Sequence, residues 1–382
     1  MRIALFTDTY LRDVNGVAMT LGKLVGHAAA RGHEVVLVTT RVSDEPDPRA
    51  AAHRQMRGIP LPLYPELQLA RGLDGRARRL LAGFRPDVGH VATESTVGLS
   101  GRTWVLRHGV PLVTSFHTNF PAYLADYRLA RLEPLVWKYL RWFHRRSALT
   151  LCPSRDTLEA LSARRFHDRL RVWGRGVDTR LYDPARRSPA VRARLAPGAE
   201  CIFVYVGRLA AEKRVDFLLD AFALVRQRAG PGTALVFVGD GPAAERLRRR
   251  AGEGVHFTGF LTGVELAEAY AAGDVFVFAS DTETFGNVVL EAAASGLPLV
   301  VVDRGGVRET AIPGRTGVRV PVGDLQGFAE ACVALLRDDA LRAQLSRGAR
   351  AEALSRQWDR TLDDALDAYK EAALGELREV AT

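Results

Sequence analysis

Short, continuously apolar runs alternate with stretches of helical periodicity along the whole chain. Arg2–Asp8 opens it, and Val35–Thr40, Leu112–Thr114, Leu149–Cys152, Cys201–Val206, Val236–Val238, Val255–Phe257, Val275–Phe278 and Leu299–Val302 repeat the theme. Runs of this length, rich in β-branched and aromatic residues, predict strands buried on both faces. Between them the spacing predicts helices, among them roughly Val17–Ala30, closed by Arg31-Gly32-His33, and Val288–Ala294, stopped by Gly296-Leu297-Pro298. Strand–helix alternation of this kind gives parallel sheets covered by helices, an α/β class. Gly and Pro signals across Arg171–Asp178 and Tyr182-Asp183-Pro184 mark a linker, so the boundary is expected near residue 180. That gives domains at 1–180 and 181–357, with a last long helix around Trp358-Asp359 reaching to 382.

Composition adds limits. A chain of 382 residues exceeds one compact core and suits two α/β domains. No apolar run is long enough to span a bilayer, and the opening strand lacks the form of a signal peptide. The three cysteines, Cys152, Cys201 and Cys332, share no metal-like spacing and read as buried thiols of a reducing cytoplasm. The net charge of +9 rests on 53 basic residues, of which four are lysine. They are spread along the chain without a nucleic-acid-binding pattern, so an anionic small molecule or an anionic membrane explains them better than nucleic acid. The basic stretch Arg128–Arg146 is amphipathic: Leu132, Leu135, Val136, Tyr139, Leu140 and Phe143 make one face, and Arg131, Lys138, Arg141 and Arg145 occupy the rest, flanked by Trp137 and Trp142. It suits either a membrane surface or a helix docked on its own sheet.

Candidate chemistry concentrates in residues 280–296, S-D-T-E-T-F-G-N-V-V-L-E-A-A-A-S-G. Glu283 is placed on the loop leaving a strand, and Glu291 about one turn inside the following helix. Between them Phe285, Gly286, Asn287 and Val288 offer the free amides of a helix start, a ready site for a diphosphate. Arg208 and Lys213, in G-R-L-A-A-E-K, leave one strand end and can converge on an anion. His117 follows the Leu112–Thr114 strand, where ligands of doubly wound sheets bind. Gly16 opens the first helix without a G-x-G-x-x-G fingerprint around it. Each has a plainer competitor: a surface Glu pair, exposed basic residues, a core histidine, a turn glycine.

Taken together, these motifs resemble the E-x7-E glycosyltransferases of family 4, whose members have two Rossmann-like domains in the GT-B fold. The resemblance covers nearly the whole chain, with matches near 16, 117, 208–213 and 283–291 in the expected order. It implies an interdomain cleft, a C-terminal helix crossing back to the first domain, and transfer of a hexose from a nucleoside diphosphate donor with retention. By the resemblance Arg208, Lys213 and the amides at Gly286–Val288 hold the diphosphate, with Gly16 facing it. Glu291 holds the ribose, Glu283 and His117 lie at the sugar, and Phe260 and Leu261 lie at the base. Asp8 and Asn15 are weaker candidates for the acceptor. No D-x-D motif appears, Asp281-Thr282-Glu283 being the nearest, so neither metal nor cofactor is expected. The segments T-D-T-Y-L, S-F-H-T-N-F-P-A-Y-L and V-W-G-R-G-V-D look like bacterial mannosyltransferases acting on lipid or glycolipid acceptors. That implies GDP-mannose as donor, with a UDP-hexose as the alternative, in a cytoplasmic protein able to sit peripherally on the inner membrane face. The rivals are a noncatalytic nucleotide-sugar-binding protein and an NAD-dependent dehydrogenase, the latter disfavoured by the missing fingerprint.

Overall fold

A computed structural model of the chain describes residues 1–10, 16–41, 45–61, 64–122 and 130–375. Its contacts divide into two units. Unit 1 comprises Met1–Pro121, Arg131–Gly174 and Asp359–Thr382, and unit 2 comprises Ala122–Ala130 and Arg175–Trp358.

Unit 1 is built on a seven-stranded, all-parallel sheet. Its order is Ala52–Met56, Glu34–Thr40, Arg2–Thr7, Val88–Val91, Leu112–Ser115, Leu149–Cys152, Leu170–Val172. The apolar runs are buried throughout, as strands covered on both faces must be. Chain order reverses between Arg2–Thr7 and Val88–Val91, which makes their carboxyl ends the switch point of the sheet. The pattern did not announce the strand Ala52–Met56, the antiparallel hairpin Gly58–Leu61 with Tyr64–Ala70, or the helix Gly75–Phe84. These carry few consecutive apolar residues, so their periodicity is weak.

The helix Trp358–Leu374 packs on unit 1. Four contacts from separate parts of the unit pin it. His27 Nε2 meets Asp363 at 2.7 Å, Trp173 Nε1 donates to the Thr361 carbonyl at 2.9 Å, Arg171 pairs with Glu371 at 2.6 Å, and the Tyr369 hydroxyl meets His90 Nδ1 at 2.6 Å. Burial drops the His90 pKa to about 3, so the imidazole is neutral and its two ring nitrogens split as one donor and one acceptor. The tyrosine and Ser115 Oγ, 2.6 Å from Nε2, satisfy both.

Unit 2 has a six-stranded parallel sheet, ordered Val255–Gly259, Thr233–Val238, Cys201–Val206, Val275–Phe278, Leu299–Val302, Gly317–Val320. Its core is aromatic at the centre: Tyr205 stacks on Phe278 at 5.7 Å, and Phe276 on Phe278 at 5.9 Å. The switch point lies between Cys201–Val206 and Val275–Phe278.

One sequence expectation is corrected here. Asp8, a candidate for the acceptor, is fully buried and committed to the scaffold. Its carboxylate accepts from the Thr93 hydroxyl (2.7 Å), the Thr96 hydroxyl (3.0 Å), the Val97 amide (2.7 Å) and the Gly98 amide (3.1 Å). It therefore caps the helix Thr96–Arg107 from across the sheet. Burial pushes the Asp8 pKa up, and the four hydrogen bonds resist that shift. Asp8→Ala leaves these donors unsatisfied in the interior, at a cost of about 2–4 kcal/mol. The melting temperature should fall by roughly 5–10 °C, measured by calorimetry.

Candidate active site

The two loops that leave the carboxyl ends at the unit 2 switch point each present charged residues to the other. Lys213 Nζ pairs with Glu283 Oε1. Beside this pair, Arg214 Nε and Nη2 donate to the two oxygens of Asp281 at 2.9 and 3.0 Å, a bidentate fork. Ser280 and Thr282 also donate to the Glu212 carbonyl at 3.2 and 3.4 Å. The strands feeding these loops pair as Phe203↔Val275 and Val204↔Phe276, so the register that aligns the sheet also aligns the charges. Arg214 sits in the left-handed region, φ 50°, between the turn Ala211–Lys213 and the helix Val215–Ala229. That conformation costs a non-glycine residue about 1–2 kcal/mol, which the Asp281 fork offsets.

After Glu283 the chain turns into the helix Asn287–Ala294 through Gly286, whose φ of 86° suits only glycine well. The first turn holds no acidic residue and no side-chain cap, so the amides at its start, which lack intrahelical acceptors, are uncapped by any carboxylate. Beneath the loop lies Gly305-Gly306, at the end of the Leu299–Val302 strand. The Gly306 amide donates to the Glu283 carbonyl at 2.7 Å. A Cβ on Gly306 would stand 2.2 Å from the Thr284 carbonyl oxygen, so only hydrogen fits there.

Glu291 lies on the fifth residue of the helix and is buried. Tyr270 donates its hydroxyl to Oε2 at 2.9 Å, and Tyr182 bonds the same carboxylate. Burial raises the Glu291 pKa to about 7, with the two tyrosines pulling the other way. The ring of Tyr182 meets that of Tyr270 edge-on at 5.6 Å, which fixes both hydroxyls toward the carboxylate.

The other candidates fall as follows. Arg208 opens the loop that carries Lys213, and its carbonyl accepts from the Tyr205 hydroxyl at 2.9 Å. Phe285 is buried in the unit 2 core, and Asn287 and Val288 are half-buried in the first turn. Leu261 packs on the core, whereas Phe260 is 55% exposed on the loop after the edge strand Val255–Gly259. In unit 1, Gly16 begins the helix Gly16–Ala30, and the buried ring of His117 lies 5.9 Å from that of Trp173. Asn15, and residues 128 and 129 of the basic stretch, lie outside the described residues. The structure thus joins Lys213 to Glu283 directly and leads from them into the Phe285–Val288 turn and Glu291. Sequence reasoning missed Arg214, Asp281, Tyr182, Tyr270 and the Gly305-Gly306 bed. Only the glycine pair carried a visible signal. Asp281 and Glu283, the nearest thing to a D-x-D motif, each sit on a cation of the opposite loop.

Residues 14–181 match the family described as Glycosyltransferase Family 4, and residues 200–338 match that described as Glycosyl transferases group 1. The chain is 36% identical over 374 residues to a GDP-mannose-dependent alpha-mannosyltransferase of Mycobacterium tuberculosis, covering 97% of this chain and 96% of that one. It is 30% identical over 316 residues to a GDP-mannose-dependent alpha-(1-6)-phosphatidylinositol dimannoside mannosyltransferase of the same species, covering 79% of each. Among solved structures, sucrose-phosphate synthase from Thermosynechococcus elongatus superposes with a TM-score of 0.78 at 21% identity, covering 98% of this chain and all of the other. The family and the two-sheet GT-B fold expected from the motifs both hold.

The raised Glu291 pKa has a measurable consequence. Protonated Glu291 suits its buried site, so its contribution to stability is complete below about 4.5 and is lost as pH rises through about 7. At about 1.4 kcal/mol per unit, the loss is on the order of 3 kcal/mol. Glu291→Gln should remove this slope: melting temperatures recorded from pH 5 to 8 are expected to fall for the natural chain relative to the variant.

Proposed function

The chain belongs to the group 1 and family 4 glycosyltransferases, and from that membership we propose that it transfers mannose from GDP-mannose to a hydroxyl of a lipid or glycolipid, with retention of configuration. The activities named for the two mycobacterial relatives support the donor, and that of the second supports a lipid acceptor. The observation that carries the reading is the charge arrangement at the unit 2 switch point. Lys213 and Arg208 share one loop, and an uncapped helix start lies on the other.

As the sugar leaves, negative charge grows on the diphosphate. In this reading Arg208, Lys213 and the amides at Gly286–Val288 stabilise it. Before the donor arrives, Glu283 balances Lys213, which keeps the ammonium in position at low desolvation cost. Glu283 then orients the sugar, and Glu291 takes the ribose hydroxyls. We assign attack to the face from which the diphosphate departs, with the leaving phosphate oxygen taking the acceptor proton. The cationic work falls to side chains and backbone amides, so we propose a reaction independent of metal.

A lipid acceptor calls for a surface that meets a membrane, and the helix Glu133–His144 supports one. Trp137, Leu140, Phe143 and His144 are buried, whereas Leu135, Lys138, Arg141 and Trp142 are exposed. Basic and apolar residues mixed on one outer face suit an anionic bilayer. Among the described residues no helix is long and apolar enough to cross it.

A thermal-shift comparison of GDP, UDP and ADP tests the donor. At about 100 times its dissociation constant GDP should add about 2.7 kcal/mol, and UDP stabilising more than GDP would replace the donor. In EDTA-treated assays the natural chain should keep its turnover. Glu283→Gln should lose about a hundredfold or more while melting within a few degrees of the parent. For the membrane, co-sedimentation with vesicles containing phosphatidylglycerol should drop in the Lys138→Glu, Arg141→Glu double variant, and undiminished binding would refute this face.

A further inference from the structure

Unit 1 holds a buried carboxylate that the reaction just described does not use. Glu94 follows the Val88–Val91 strand, on one side of the unit 1 switch point, and its side chain is 6% exposed. Ligands of open α/β sheets bind beyond the strand ends at such a point. The helix Glu133–His144, whose outer face carries Leu135, Lys138 and Trp142, grips this residue from its inner face. The Tyr139 hydroxyl donates to the Glu94 carbonyl at 2.5 Å, and His144 Nε2 lies 3.3 Å from Glu94 Oε1.

A run of hydrogen bonds leads inward from the surface to His144. Burial lowers the His167 pKa to about 4, so its ring is neutral at pH 7. The Arg169 amide donates to His167 Nδ1 at 3.2 Å, which places the His167 proton on Nε2, 2.8 Å from Thr150 Oγ1. Thr150 Oγ1 then lies 2.8 Å from Thr114 Oγ1, which meets both His144 Nδ1 and Ser147 Oγ at 2.9 Å. His144 Nδ1 is thus engaged by Thr114, and Nε2 is the nitrogen directed at Glu94. The chain thus orients the Glu94 carboxylate.

Among the described residues, Glu94 Oε1 receives this bond and Oε2 receives none. The nearby helix start at Thr96 offers no attraction for an anion, because Asp8 already caps it. A carboxylate with one oxygen held and the other open accepts a hydroxyl and repels a phosphate. We propose that Glu94 Oε2 binds a hydroxyl of the acceptor's head group, and that this subsite takes a neutral polyol or sugar moiety. His144 and Tyr139 are positioning residues that couple the membrane-facing helix to that subsite. The proposal rests on the glycosyltransferase reading above.

The test uses the full chain, GDP-mannose, and vesicles doped separately with dioleoylglycerol, glucosyl-dioleoylglycerol and phosphatidylinositol. On whichever of these the natural chain glycosylates, Glu94→Gln should raise the acceptor KM by about tenfold or more. The GDP-mannose KM, vesicle co-sedimentation and melting temperature should stay at parental values. Should Glu94→Gln fail to fold, Glu94→Asp, which keeps the charge and withdraws it by one methylene, is expected to show the same split. An unchanged acceptor KM in a folded variant, or a donor KM that rises equally, overturns the proposal. A natural chain that glycosylates none of the three overturns the reading beneath it instead.

Discussion

Two ion pairs across the ends of neighbouring strands, Lys213 with Glu283 and Arg214 with Asp281, hold the working part of unit 2 in place. Beyond the short turn Ala211–Lys213 these loops have little regular structure, and each would otherwise sample many conformations. Adjacent parallel strands deliver the loops side by side, and the pairs lock them there. Both carboxylates are largely buried, so losing either cation would strand an anion. Loops locked this way keep their cations oriented before any ligand arrives, the condition that the proposed reaction needs.

The two units put the same structural opportunity to opposite uses. Each sheet has a switch point, and a helix starts just beyond it. In unit 1 the helix start at Thr96 is filled from within by Asp8, whose carboxylate takes two hydroxyls and two amides. In unit 2 the start at Asn287 follows Gly286 and has no acidic residue in its first turn. The first helix end is therefore part of the scaffold, and the second is free to meet a diphosphate. Unit 1 instead offers an anionic edge at Glu94, a group suited to hydroxyls.

Buried polar groups do the fine positioning in both units. Tyr182 and Tyr270 hold Glu291, and the His167–Thr150–Thr114–His144 chain holds Glu94. Each hydrogen bond excludes alternative rotamers in an interior where an unpaired polar group is costly. Such groups leave almost no trace in sequence. A tyrosine in a Gly- and Pro-rich linker and threonines within apolar strands look ordinary until the fold brings their partners near.

What the linear chain determined by itself is the set of features that depend on near neighbours. Continuous apolar runs implied parallel sheets, because strands covered on both faces need no polar side. Glu283, the glycine turn and Glu291 fell within one strand–loop–helix step, and Arg208 with Lys213 within another, so their proximity within each step followed from local geometry. Tertiary structure decided everything that joins such steps. It set Lys213 against Glu283 across 70 positions of sequence, turned Asp8 from a surface candidate into a helix cap, and gave Glu94 a partner 50 positions away. Strand order chooses these meetings, and strand order arises from how whole layers bury their apolar faces, a quantity that no local window of residues contains.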